Sequence, residues 1–142
     1  MSVISISRLH PYVGGEVSPV DLRRVHDRST LEQLRAGMDE YGVLVFRNQP
    51  FTDAEQLAFA ERFDGTLHVK PGAAALSENR FGNDAIADIS NVDNNGAILD
   101  ANDRKRAYSL GNRLWHTDAS FQDPAGRYST LSARVIPKVN AD

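Results

Sequence analysis

The tightest constraint on the fold lies between residues 29 and 65, where two helical patterns enclose one short apolar run. Ser29 followed by Glu32 has capping-box spacing, and Leu31, Leu34, Met38 and Tyr41 then recur at helical intervals until Gly42. Val43-Leu44-Val45-Phe46 is an unbroken β-rich run closed by Arg47-Asn48-Gln49-Pro50. Such a run predicts a strand covered on both faces, at the centre of a sheet. Thr52 and Glu55 repeat the capping signature, and Leu57, Phe59, Ala60 and Phe63 supply the stripe of a second helix stopping near Gly65. Upstream, Val3 to Ser7 alternates apolar and polar residues, as a half-buried strand does, before Pro11 and Gly14-Gly15 break it.

The second half reads differently. Residues 66 to 85 carry Gly, Pro, Ala and Asn without periodicity and are expected to be loop. Ala87 to Val92 predicts a strand and Asp93-Asn94-Asn95-Gly96 a turn. About fifteen polar residues then run to Asn112, a length that suits a functional loop or lid. Leu114 to Asp118 and Arg127 to Ile136 predict further strands, the second stopped by Pro137. No repeat, low-complexity tract or dividing linker is evident, so residues 1–142 are expected to belong to one domain. Helices come early and β structure later, which makes the class mixed α/β and mainly β.

Composition removes several functions. A net charge of -3 offers no basic field for nucleic acid, and Arg104-Lys105-Arg106 stands beside Asp100 and Asp103, as in a solvated loop. No apolar run approaches the ~20 residues that cross a bilayer, and the N-terminus lacks a signal-peptide pattern, so no membrane partner and a cytoplasmic address are expected. With no cysteine, thiolate metal sites and cysteine nucleophiles are excluded, and any metal must be held by nitrogen and oxygen.

Trp115-His116-Thr117-Asp118 is the sharpest candidate for chemistry. On a strand, residues i and i+2 share a face, so His116 and Asp118 would present an imidazole and a carboxylate to one metal ion. Those are two of the three groups in the 2-His-1-carboxylate site of non-haem iron oxygenases. Trp115 and Thr117 would face the other way and pack. With four histidines in the chain, His-x-Asp arises by chance about one time in five. The alternative therefore stays open that Asp118 caps a turn and His116 is a partly buried histidine bonded to it.

The surrounding segments carry more weight than the tripeptide. Asn112-Arg113-Leu114-Trp115-His116-Thr117-Asp118-Ala119-Ser120-Phe121 resembles the iron-binding segment of the TauD/TfdA dioxygenases: an Asn, then Trp-His-[Ser/Thr]-Asp, then a Phe. Pro124 to Ala133 and Ala87 to Val92 resemble the 2,4-dichlorophenoxyacetate (aryloxyalkanoate) branch more than the taurine branch. Leu9-His10-Pro11, Asp21-Leu22-Arg23, Val43 to Phe46 and Phe59 to Phe63 agree, so the resemblance spans nearly the whole chain. It implies that His116 and Asp118 ligate Fe(II) and that Asn112 lies beside the substrate. His68 falls in the loop where the taurine enzymes carry a substrate-contacting histidine, the alternative being a solvent-exposed one. Lys70 is a candidate for an anionic carboxylate. Asp88 to Asn91 borders the pocket or is an ordinary strand end, and His10 and His26 have no expected role.

The same resemblance implies a double-stranded β-helix, or jelly-roll, with buttressing helices, here incomplete. The cofactors would be Fe(II), 2-oxoglutarate and O2, the partner a small anionic substrate, and the assembly a homo-oligomer. Hydroxylation of an aryloxyacetate would yield a phenol and glyoxylate alongside succinate and CO2. The second iron-binding His and the Thr and Arg that hold 2-oxoglutarate lie, in the family, beyond the position of Asp142. The sequence is accordingly expected to be the N-terminal portion of a protein approaching twice this length, the alternative being a degenerate relative. Competing functions are a sister dioxygenase acting on a sulfonate, a non-catalytic β module, and a hydrolytic zinc site.

Overall fold

The computed structural model describes residues 4–69, 81–109 and 114–136. The chain divides into two compact units, Met1–Thr66 and Leu67–Asp142.

The first unit is a three-stranded sheet with helices. Strand β1 (Ser5–Arg8) pairs antiparallel with β2 (Gly15–Ser18), Ile6 opposite Val17, and β2 pairs in parallel with β3 (Leu44–Val45), Gly15 opposite Leu44. A parallel return requires a crossover. It is supplied by a 3₁₀ turn (Leu22–Arg24) and α1 (Arg28–Tyr41); α2 (Asp53–Glu61) follows β3. Ile4, Val17, Leu22, Val25, Leu31, Leu34 and Phe59 form the buried core, flanked by Ile6, Val20, Leu44, Phe46, Phe51 and Phe63. Phe59 meets Phe63 edge to face at 5.3 Å, an arrangement favoured by the ring quadrupoles.

Two polar side chains tie the elements together. The Gln49 amide accepts from Leu22 N at 2.9 Å and donates to the Val20 and Arg47 carbonyls. Arg62, which ends α2, donates to the carbonyls of Leu22 and Val25 at 2.8 and 2.9 Å. Both satisfy backbone groups in and around the 3₁₀ turn.

Several expectations need correcting in this unit. Helix α1 is capped by Asp27, whose carboxylate accepts from Thr30 N at 2.9 Å, and not by Ser29. Glu32 pairs instead with Arg28 at 2.7 Å, one turn earlier on the helix. The run Val43 to Phe46 yields a two-residue strand that is half-buried, with Val43 exposed, and it is terminal in the strand order β1-β2-β3 among the described residues.

In the second unit the described residues form one helix, α3 (Arg104–Ser109), where the sequence read a solvated loop. The strand expected over Ala87 to Val92 is reduced to a single bridge between Val92 and Ile98, closed by the predicted turn through the Gly96 N to Asp93 O bond of 3.1 Å. The strands expected at Leu114 to Asp118 and Arg127 to Ile136 are absent, because no ladder partner is present among the described residues. The described residues are thus mixed α/β, not mainly β.

Candidate metal centre

His116 and Asp118 lie on irregular backbone in the second unit, so strand alternation is not what brings them together. They are nevertheless adjacent: His116 Nε2 stands 3.4 Å from Asp118 Oδ1, with the side chains 44 % and 67 % exposed. His116 Nδ1 lies 2.7 Å from the Leu114 carbonyl oxygen. A carbonyl oxygen only accepts, so Nδ1 carries the hydrogen, and in the neutral ring Nε2 presents a lone pair. Two lone-pair atoms then face one another, Nε2 of His116 and Oδ1 of Asp118. That juxtaposition is what a cation between them would require, and the bond from Nδ1 to a carbonyl is how metal-binding histidines are commonly oriented.

A hydrogen-bonded turn follows Asp118. Ala119 adopts φ 52°, in the left-handed region that costs an L-residue roughly 1–2 kcal/mol, and its carbonyl accepts from Gln122 N and Gly126 N at 3.2 and 3.3 Å. Thr117 Oγ1 and Ser120 Oγ share a hydrogen bond of 2.7 Å. Trp115 does not pack as expected: its ring is fully exposed, since the described residues offer no sheet face at this point.

Donor chemistry fits iron in part. One imidazole and one carboxylate, without sulfur, suit Fe(II), and an oxygenase site needs a third protein group. Among the described residues no cluster of three or more His, Asp or Glu is present, so the structure brings together two groups of such a site.

The other candidates are distributed around this turn or lie outside the described residues. His68 is half-buried, contrary to the solvent-exposed alternative, and a Cβ built on Gly126 would stand 3.5 Å from its Nδ1. It therefore sits against the loop that follows Asp118. Asn112 and Lys70 fall outside the described residues. Asp88, from the segment expected to border a pocket, is occupied by an ion pair with Lys105 at 3.0 Å. Sequence reasoning missed that lysine because its neighbours Arg104 and Arg106 are exposed and the triplet reads as a solvated run. In the first unit a surface cleft is lined by His26, Arg28, Leu31, Arg35, Arg62 and Asp64. Its cations already have partners: Arg28 pairs with Glu32, Arg35 with Asp64, and Arg62 with two carbonyls.

Comparison with known proteins places the chain in a family. Residues 5–140 match the model of the taurine catabolism dioxygenase TauD, TfdA family, and the chain belongs to that family. It is 39 % identical over 142 residues to an alpha-ketoglutarate-dependent 2,4-dichlorophenoxyacetate dioxygenase of Cupriavidus pinatubonensis (strain JMP 134 / LMG 1197), covering 100 % of this chain and 49 % of that protein. It is 31 % identical to an (S)-phenoxypropionate/alpha-ketoglutarate-dioxygenase of Sphingobium herbicidovorans, over 94 % of this chain and 42 % of the relative. The crystal structure of AAD-2 in complex with Mn(II) and N-oxalylglycine superposes with a TM-score of 0.68 at 34 % identity, covering 85 % of this chain and 38 % of that one. The chain spans about half the length of the curated relatives it matches.

Proposed function

We propose that this chain is the N-terminal portion of an Fe(II)- and 2-oxoglutarate-dependent dioxygenase that hydroxylates a small anionic substrate of the aryloxyalkanoate class, within a double-stranded β-helix. The observation that carries the reading is the facing pair of His116 Nε2 and Asp118 Oδ1, in a chain similar along its whole length to a 2,4-dichlorophenoxyacetate dioxygenase. N-oxalylglycine, bound with Mn(II) in the structurally similar AAD-2, is an isostere of 2-oxoglutarate and supports the cosubstrate assignment.

His116 and Asp118 would hold the metal. Iron with 2-oxoglutarate and O2 supplies the oxidative hydroxylation of a C–H bond, giving succinate and CO2 as co-products. For an aryloxyacetate, a hydroxyl placed beside the ether oxygen gives a hemiacetal that collapses to a phenol and glyoxylate. The work left to this chain is positioning. The Leu114 carbonyl orients the His116 ring, and the Asp118 carboxylate stands beside it. His68 contributes to the wall of the loop that follows, and Asn112 and Lys70 are assigned to the substrate side, Lys70 to an anionic group.

The test is succinate release by the complete enzyme with Fe(II), ascorbate and O2 across aryloxyacetates, aryloxypropionates and sulfonates. Turnover restricted to aryloxyalkanoates is expected. Preference for a sulfonate would move the substrate to the taurine branch, and turnover without oxygen would overturn the reaction class.

A further inference from the structure

We propose that Lys105 is a positioning residue, a clasp that ties α3 to the Asp88–Val92 segment and thereby fixes where the chain enters the His116–Asp118 pair; this rests on the metal-site reading above. The clasp lies entirely within the second unit. Its amine meets both ends of one segment: Lys105 Nζ is 3.0 Å from Asp88 Oδ2 and 3.3 Å from the Val92 carbonyl oxygen. The Asp88 side chain is only 10 % exposed and that of Lys105 33 %, whereas Arg104 and Arg106 on either side are exposed. One cation of the triplet has been turned inward.

What lies between the clasped points is closed on itself. After Val92 the chain turns at Asp93, whose carboxylate accepts from Asn95 N and Ala97 N at 2.8 Å each, and returns so that Leu99 N donates to the Asn91 carbonyl at 2.9 Å. A second turn follows, with Asp103 N on the Asp100 carbonyl at 3.1 Å, and Asp103 then accepts from Lys105 N at 2.7 Å as α3 begins. These bonds link residues no more than eight positions apart. The Lys105 side chain returns across the whole loop, to residues 17 and 13 positions earlier. It therefore sets where α3 lies, and α3 ends at Ser109, shortly before Leu114, whose carbonyl orients the His116 ring.

The experiment compares the complete enzyme with its Lys105→Met, Lys105→Arg and Asp88→Asn variants by amide hydrogen exchange and by kinetics. Lys105→Met is expected to speed exchange about tenfold both in residues 88–109 and in residues 114–122, and to raise substrate KM about tenfold with kcat within about twofold. Lys105→Arg should restore most of both effects, because it keeps the charge. Asp88→Asn, which keeps the shape, should reproduce the same pattern more weakly. Faster exchange confined to residues 88–109 would make the contact a local tie and overturn the proposal, as would unchanged exchange in both lysine and aspartate variants. If the wild-type enzyme releases no succinate, the dioxygenase reading fails, while exchange in residues 114–122 still decides the clasp.

Discussion

At the scale of single residues, one hydrogen bond decides what the candidate site offers. Because the Leu114 carbonyl takes the hydrogen of His116 Nδ1, Nε2 is the ring atom that could meet a cation, 3.4 Å from a carboxylate oxygen. In the complete enzyme, His116→Ala or Asp118→Ala is expected to abolish substrate oxidation and weaken Fe(II) binding while leaving the fold intact, since both side chains are exposed. Isothermal titration with Fe(II) under anaerobic conditions and a thermal melt check this; full activity in either variant would remove the metal assignment. Asn112→Ala should act differently, raising substrate KM with iron binding unchanged, and loss of iron binding in that variant would show that Asn112 has been given the wrong role. The sequence singled out these two residues and the structure brings them within 3.4 Å of one another, but not by the strand alternation that was expected. Alternation on a strand predicted that Trp115 would be packed, and it is fully exposed. Irregular backbone carries both residues instead, followed by a turn with a left-handed Ala119, and alanine carries no sequence signal for that conformation.

At the scale of elements, capping was the most readable feature and pairing the least. Thr52 and Glu55 form the full capping box anticipated from their spacing: Thr52 Oγ1 accepts from Glu55 N at 3.2 Å, and the Glu55 carboxylate accepts from Thr52 N at 2.8 Å. Thr52→Ala should cost about 1 kcal/mol, read as a lowered denaturation midpoint. The helix ends also predict an acid response. Hydrogen bonds from the Thr52 backbone and then its side chain hold the Glu55 carboxyl below its ordinary value, and the Thr30 amide and side chain do the same for Asp27. With folded values below unfolded ones, the stabilisation is present above the unfolded carboxylate pKa and is lost as pH falls through the folded values. Helical circular dichroism should therefore decline on acidification below about pH 4, and Asp27→Asn should flatten that decline; an identical acid titration in the variant would refute the assignment. Where α1 starts was misread because Asp27 and Ser29 both suit a cap, and the charged one has the stronger claim on exposed helix amides. Strand β3 was placed centrally because an apolar run reads alike whether one edge or both are paired. Helix α3 went unseen because six residues carry too little periodicity to register, and the ion pair that anchors it spans the loop from Asp88.

At the scale of the molecule, burial is uneven between the two units. The first holds the cluster around Leu34, the most deeply buried of these side chains, and Leu34→Ala should destabilise that unit by about 2–5 kcal/mol through the cavity it leaves. Among the described residues of the second unit, Ile86 is the buried apolar side chain, while Leu114, Trp115, Phe121, Leu131, Val135 and Ile136 are exposed. Exposed apolar side chains in this number favour association. In the dioxygenase proposed above, the strands expected at 114–118 and 127–136 would form only when a longer chain supplies ladder partners, and those strands are what turn the two ligands toward a third. It follows that the 142-residue chain made alone should neither decarboxylate 2-oxoglutarate nor show the visible charge-transfer band of an anaerobic iron–2-oxoglutarate complex. Its first unit should retain protected amides while the second exchanges within the dead time, and the exposed apolar residues should make it prone to aggregate. Succinate release under O2 with Fe(II) and ascorbate, compared between this chain and the longer protein, is the deciding measurement. Equal rates would mean that two ligands suffice or that the third comes from within these residues, and the account of the site as one part of a larger enclosure would have to be given up.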